Sequence, residues 1–162
     1  TGSMADPKFR DGYALLGPLG LSYDLQTPWW HLGEAADLAA DFPATQIILN
    51  HTGLPSDRSD RGLAAWREAM QGLAQAPNVA VKISGIGVAG QAWTPEANRT
   101  IVLDTIEAFG VARCMFASNF PVDGLCATYD EIFDGFKAIT ADFSDADRAK
   151  LFHDNAARFY RL

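Results

Sequence analysis

The sequence predicts an α/β fold built on a parallel sheet, and three observations lead there. Four short apolar runs, each of strand length, begin at Leu21, Gln46, Val79 and Cys114, about 25–35 residues apart. Each is followed by a stretch with apolar residues at helical spacing. Strand–helix alternation of this kind requires crossover connections and therefore parallel pairing. No linker, low-complexity tract or charge run divides the 162 residues, a length that suits one domain. The opening Thr1-Gly2-Ser3-Met4 reads as a tag remnant, which leaves residues 5–162 as the domain.

The elements follow in order. "LSYDL" (Leu21–Leu25) is the first strand run, and "HLGEAADLAADF" after it places Leu32, Ala35, Ala36 and Ala39 on one helical face. "QIILNH" (Gln46–His51) precedes "DRGLAAWREAMQGLAQA", where Leu63, Trp66, Met70 and Leu73 repeat on one side. "VAVKISG" (Val79–Gly85) is followed by a helix with Thr94 as N-cap, Pro95 in its first position and Gly110 after its end. "CMFASNF" (Cys114–Phe120) leads to a helix opened by a capping box from Thr128 to Glu131. A last helix, capped by Ser144, turns Leu151, Phe152, Ala156 and Phe159 inward. Two architectures accommodate this βαβαβαβα pattern: a small open sheet of the flavodoxin type, or half of a (β/α)8 barrel, whose full length is about 250 residues. In both, ligands sit beyond the C-terminal ends of the strands.

Composition narrows the partners. The chain is 48% hydrophobic and 20% charged, with net charge −7. Nucleic acid and anionic membranes reward a basic face, so neither is an expected partner. No apolar run approaches the roughly 20 residues needed to span a bilayer. Two cysteines and no visible signal peptide point to a reducing, cytoplasmic setting.

All four strand ends carry polar residues: Asp24, Asn50-His51, Lys82 with Ser84, and Ser118-Asn119. Imidazole suits metal ligation or proton transfer near neutral pH, which makes His51 the sharpest candidate; the alternative is a structural histidine bonded to a neighbouring loop. Period two sets Lys82 and Ser84 opposite Val79, Val81 and Ile83. A lysine there needs a partner, and Asp24 is the candidate. Trp29, Trp30 and Trp93 follow strands and either line a pocket or cover the mouth. His31 fits a pocket rim or a structural role, and His153 a cap or packing role. Phosphate-loop, dinucleotide, paired-cysteine zinc and serine-elbow motifs are absent from the sequence.

Taken together, "ILNHTGLP", "NVAVKISGIG", "RCMFASNFPVD" and "LFHDNAARFYRL" resemble the amidohydrolase-related family of TIM-barrel hydrolases, which includes sugar-lactone and dicarboxylate-lactone hydrolases. The resemblance runs from about Phe9 to Leu162 and maps onto the C-terminal half of such a barrel, about strands 5–8. It implies that His51 matches an active-site histidine with a possible metal role, and that Ser118-Asn119-Phe120-Pro121 matches the strand-eight motif. It also implies a divalent metal, zinc, in a complete parent protein. The family's first-strand His-x-His pair has no counterpart here, and its strand-eight Asp, a general base, is replaced by Asn119. An amide cannot accept a proton at neutral pH, although it can orient a water; Asp123 is a candidate replacement.

The expected activity is hydrolysis of a small lactone or related carbonyl substrate. His51, Lys82, Asn119 and Asp123 would be catalytic, with Asp24, Trp29, Trp30, Ser84 and Ser118 around the substrate. Because the N-terminal half-barrel is missing, the isolated chain is expected to be inactive, and a non-catalytic assembly or binding module is the alternative. Unpaired first and last strands predict self-association through sheet edges. The competing arrangement is an open sheet shielded by its own helices.

Overall fold

The structure, a computed structural model, describes residues 3–162. Strands β1 (Ser22–Leu25), β2 (Gln46–Leu49), β3 (Val79–Ile83) and β4 (Cys114–Phe116) form one parallel sheet in the order β1-β2-β3-β4. That order decides between the two architectures. A flavodoxin-type sheet places its first strand inside, whereas crossovers that all advance one strand in the same direction are those of a barrel. The fold is half of a (β/α)8 barrel.

Helices α1 (Pro7–Tyr13), α2 (Leu32–Asp41), α3 (Asp60–Ala74), α4 (Pro95–Phe109) and α5 (Tyr129–Ile139) surround the sheet. The predicted caps form: Thr94 Oγ1 accepts from Ala97 N at 3.2 Å, and Thr128 and Glu131 make a reciprocal capping box. The sequence reading did not anticipate α1. It is only seven residues long, too short to show a period, and begins with Asp6 accepting from Lys8 N at 2.8 Å and with Pro7 in its first turn. Thr1 and Gly2 of the expected tag remnant lie outside the described residues. Met4, also assigned to that remnant, is buried in the core.

Side-chain alternation sorts the strands into two faces. On the outer face, Ile47, Leu49, Val79, Val81, Ile83, Cys114 and Phe116 pack against the helices, with Trp66, Met70 and Phe136 fully buried among them. On the inner face lie Ile48, Ala80 and Met115. In a closed barrel, opposite strands would cover them. Here the cover comes from the last helical segment: α6 (Asp145–Ala149), a π-helical turn (Lys150–Asp154) and α7 (Asn155–Tyr160). Ala156, Phe159 and Tyr160 seat on the inner face, while Leu151 and Phe152 belong to the outer core. The single inward face expected for this helix is therefore two faces separated by the π turn. Asn155 anchors it by donating to Val111 O at 2.7 Å and Cys114 O at 2.8 Å. His153 does not pack or cap as expected: its side chain is 80% exposed and faces Asp154.

The strands also stop earlier than the apolar runs. They end at Leu49, Ile83 and Phe116, because the backbone then turns left-handed at His51 (φ 56°), Gly85 (φ 61°) and Asn119 (φ 54°). Extended pairing cannot continue through such residues.

Candidate active site

The end of β2 is the most unusual backbone in the molecule. His51, Thr52, Gly53 and Leu54 all have positive φ, from 50° to 67°. For Thr52, a β-branched residue, this conformation costs of order 1–3 kcal/mol and persists only where the surroundings impose it. The surroundings here include the fully buried Trp66, whose Nε1 donates to Thr52 O at 2.7 Å. The turn lifts the His51 side chain over the end of β3. There His51 Nδ1 lies 2.9 Å from Ser84 Oγ, and Ser84 is itself buried. Gly85 makes the approach possible: a Cβ at this position would stand 2.7 Å from His51 Cγ and Nδ1.

Burial lowers the His51 pKa from its usual value; the Lys82 ammonium lowers it further and the Asp123 carboxylate opposes both. At neutral pH the imidazole is therefore uncharged. When Nδ1–H donates to Ser84 Oγ, Nε2 is left as a base or a ligand.

Asp123 and Asn119 form the second cluster. Asp123 is buried, and its Oδ1 accepts from Asn119 Nδ2 at 2.8 Å while Oδ2 faces Gly87 N at 3.4 Å. The short helical turn Val122–Leu125 folds Asp123 back to within reach of the strand end. Positive φ at Asn119 suits asparagine, which tolerates the left-handed region better than most residues. The β3–α4 loop joins the clusters, since Gly85 touches His51 and Gly87 touches Asp123.

The third cluster lies on the inner face. Lys82 Nζ pairs with Asp24 Oδ1 at 3.0 Å, and the Tyr160 hydroxyl donates to the same oxygen at 2.7 Å. Lys82 also sits 5.4 Å from the Tyr160 ring centroid. Asp24 is the partner the sequence suggests for Lys82, whereas nothing in the sequence signals Tyr160, which is 136 residues from Asp24.

The three remaining expected substrate contacts have these neighbours. Trp29 and Trp30 pack edge to face and line a groove with Gly33, Ala65 and Glu68, between α2 and α3. Ser118 Oγ accepts from Phe120 N at 3.1 Å and caps its own turn. His31 bonds Glu34 at 2.9 Å, a structural pair.

A parallel sheet of this order, with polar side chains from successive strands at its C-terminal edge, is the arrangement of half of a (β/α)8 barrel. The amidohydrolase family model matches residues 2–162, and the chain belongs to that family. It is 54% identical over 156 residues, 96% of this chain and 52% of the relative, to an uncharacterized protein, y4mH, of Sinorhizobium fredii. It is 33% identical over 169 residues to an L-fucono-1,5-lactonase of Burkholderia multivorans, covering 97% of this chain and 57% of that protein. A crystal structure of an amidohydrolase from Burkholderia multivorans with bound zinc superimposes with a TM-score of 0.89 at 30% identity, covering 98% of this chain and 59% of that one. The chain thus spans about half the length of the curated relatives it matches.

The zinc in that neighbour raises the question of whether these residues fit one. Among the described residues, no group of three or more His, Cys, Asp or Glu could hold a metal ion. A zinc site takes three or four protein ligands. Of the nearby donors, His51 offers one free nitrogen, Nε2, its Nδ1 being engaged with Ser84, and both Asp123 oxygens face donors of this chain. The donor set of this chain alone does not fit zinc.

Proposed function

We propose that the chain carries the carbonyl-activating half of a hydrolase acting on a small lactone. The observation that carries this reading is the Gly85–Gly87 bridge, which brings the neutral His51 and the Asn119–Asp123 pair to one strand edge. In this reading Asp123 takes the proton of the attacking water, which Asn119 orients through its amide oxygen. With the Ser84 hydroxyl donating to its Nδ1, neutral His51 turns Nε2–H to the carbonyl oxygen and polarises it, and the proton taken by Asp123 passes to the leaving alkoxide. Lys82 balances the negative charge that develops, and Asp24 holds it in place. Asn119 cannot itself be the base, so the carboxylate four residues on takes that role. A small molecule is the substrate, and no step is assigned to a metal on this chain.

The isolated chain is expected to be inactive, since half the mouth is absent. The test is lactone hydrolysis, followed by proton release with L-fucono-1,5-lactone, comparing the chain alone with the chain joined to the N-terminal half of the 54%-identical relative. Turnover by the joined protein should fall at least 100-fold in kcat on His51→Ala or Asp123→Asn, with a melting shift of only a few degrees. Full activity in either variant would end this reading.

The second reading, a non-catalytic module that associates through its sheet edges, is favoured by one observation: β1 and β4 each have a partner on one side only.

A further inference from the structure

The last helix reaches the Lys82 cluster through a single residue, Tyr160. Asn155 fixes the start of α7 on the carbonyls of Val111 and Cys114. Just past its end, Arg161 adopts the left-handed conformation (φ 58°) and donates to Gly20 O, ahead of β1. Between these anchors Phe159 and Tyr160 lie on the inner face of the sheet. The Tyr160 ring is therefore fixed by its own helix, and its hydroxyl donates to Asp24 Oδ1 at 2.7 Å.

Asp24 needs that hold. It stands on β1, a strand paired on one side only, and its side chain is 45% exposed. An ion pair with so exposed a carboxylate is weak by itself, because water competes for both charges. Yet Lys82 Nζ binds the same Oδ1, at 3.0 Å, that the tyrosine hydroxyl binds. Lys82 is the more enclosed partner, 21% exposed, with the Tyr160 ring centroid 5.4 Å from its Nζ. A lysine head group rides on a flexible four-carbon stem. Tyr160 restrains it twice, through the ring it faces and through the carboxylate it pairs with. Burial raises the Tyr160 pKa and the bond to Asp24 raises it further, so the hydroxyl keeps its proton and stays a donor at neutral pH. The ammonium held in this way is close enough to His51 to lower the imidazole pKa.

We propose that Tyr160 is a positioning residue, which acts through Asp24 to hold the Lys82 ammonium beside His51, so that the seating of the C-terminal helix sets the positive charge available at the strand ends. The kinetic consequence rests on the hydrolase reading; the geometric one does not. Tyr160→Phe keeps the ring and removes only the hydroxyl. In the 162-residue chain labelled with ¹³C-lysine, Lys82 should show two separate Hε signals, because a fixed side chain beside an aromatic ring places its two Hε protons in different surroundings. The two should merge in Tyr160→Phe and in Asp24→Asn, where the stem averages over rotamers, while unchanged helical circular dichroism confirms that both variants fold. In the protein joined to the N-terminal half, Tyr160→Phe should lower kcat for L-fucono-1,5-lactone at least fivefold and change KM less than twofold. In an Asp24→Asn background the same change should lower kcat less than twofold further, since the route through Asp24 is already cut, whereas a purely structural role would lower it by the same factor in both backgrounds. A single Hε signal in the wild type, separate signals that persist in Tyr160→Phe, an unchanged kcat in Tyr160→Phe, or equal kcat losses in the two backgrounds would overturn the proposal. Merged signals in Tyr160→Phe with no lactone turnover by the joined wild-type protein would remove the hydrolase reading and keep the positioning role.

Discussion

At the scale of single residues, the site depends on one imidazole kept neutral by its surroundings. Because burial lowers the His51 pKa, the unfolded chain binds the proton more readily than the folded one. Stability is therefore complete above the ordinary histidine value of about 6.5 and is lost as pH falls from there through the lowered folded value. Following the His51 ring protons by NMR should give a midpoint below 6.5, and Lys82→Met should move it upward by removing a nearby positive charge. A midpoint above 7 would contradict the described environment. The position of His51, Asn119 and Asp123 at one sheet edge is legible in the sequence because each follows an apolar run, and that of Lys82 because it interrupts one. The Ser84 contact to His51, the Trp66 bond to Thr52 and the Tyr160 bond to Asp24 are not, since each joins residues far apart in the chain.

Among the elements, helix ends were the most readable features, because a cap is decided by three or four consecutive residues. Ser144, Thr94 and the Thr128–Glu131 box all form as read. Thr128→Ala should cost about 1 kcal/mol, measured by urea denaturation. Hydrogen bonds from the Thr128 backbone and hydroxyl lower the Glu131 pKa. Its contribution is present above the usual glutamate range and fades as pH drops through the lowered value. The difference between wild type and Thr128→Ala should accordingly narrow in acid; a constant gap from neutral pH to pH 3 would contradict the role of the carboxylate. Strand ends were less legible than caps. Apolar runs continue past the last paired residue, and only backbone dihedrals reveal where pairing stops.

The whole molecule shows how an incomplete barrel hides its interior. Fully burying a side chain of the size of Ile48 or Met115 is worth about 1.5–3 kcal/mol, and α7 makes that gain available without opposing strands. Strand–helix alternation gives a parallel sheet and leaves a half-barrel and an open flavodoxin-type sheet both compatible; the family resemblance points to the half-barrel and the strand order decides for it, but nothing in the periodicity foretells that the last helix crosses the inner face. Both sheet edges stay open, so light scattering at micromolar concentration should show association. Removal of Asn155–Leu162 should increase it by uncovering Ile48, Ala80 and Met115. A monomer of 17.5 kDa in both forms would exclude edge pairing. Zinc behaviour also belongs to this scale, since one chain offers too few ligands at the site. After dialysis against trace-metal-free buffer, metal analysis should find well under one equivalent, and one retained equivalent would show that the donor set is misread.

The π turn between α6 and α7 amounts to one residue inserted into a continuous α-helix. Each residue advances such a helix by about 100°. The wider turn absorbs the extra residue, so deleting one residue from it would close it into ordinary helix and leave everything beyond nearly in phase, with Phe159 and Tyr160 still on the sheet and the Tyr160–Asp24 bond kept. His153 is the residue to remove, because its exposed side chain contributes nothing to the core. The deletion should keep helical circular dichroism and bind no more hydrophobic dye than His153→Ala, whereas one alanine inserted between Asn155 and Ala156, in regular helix, should turn Phe159 and Tyr160 by about 100° and expose an apolar surface that binds the dye. Strong dye binding by the deletion variant would mean that the turn sets the phase of the last helix and does not merely absorb the extra residue.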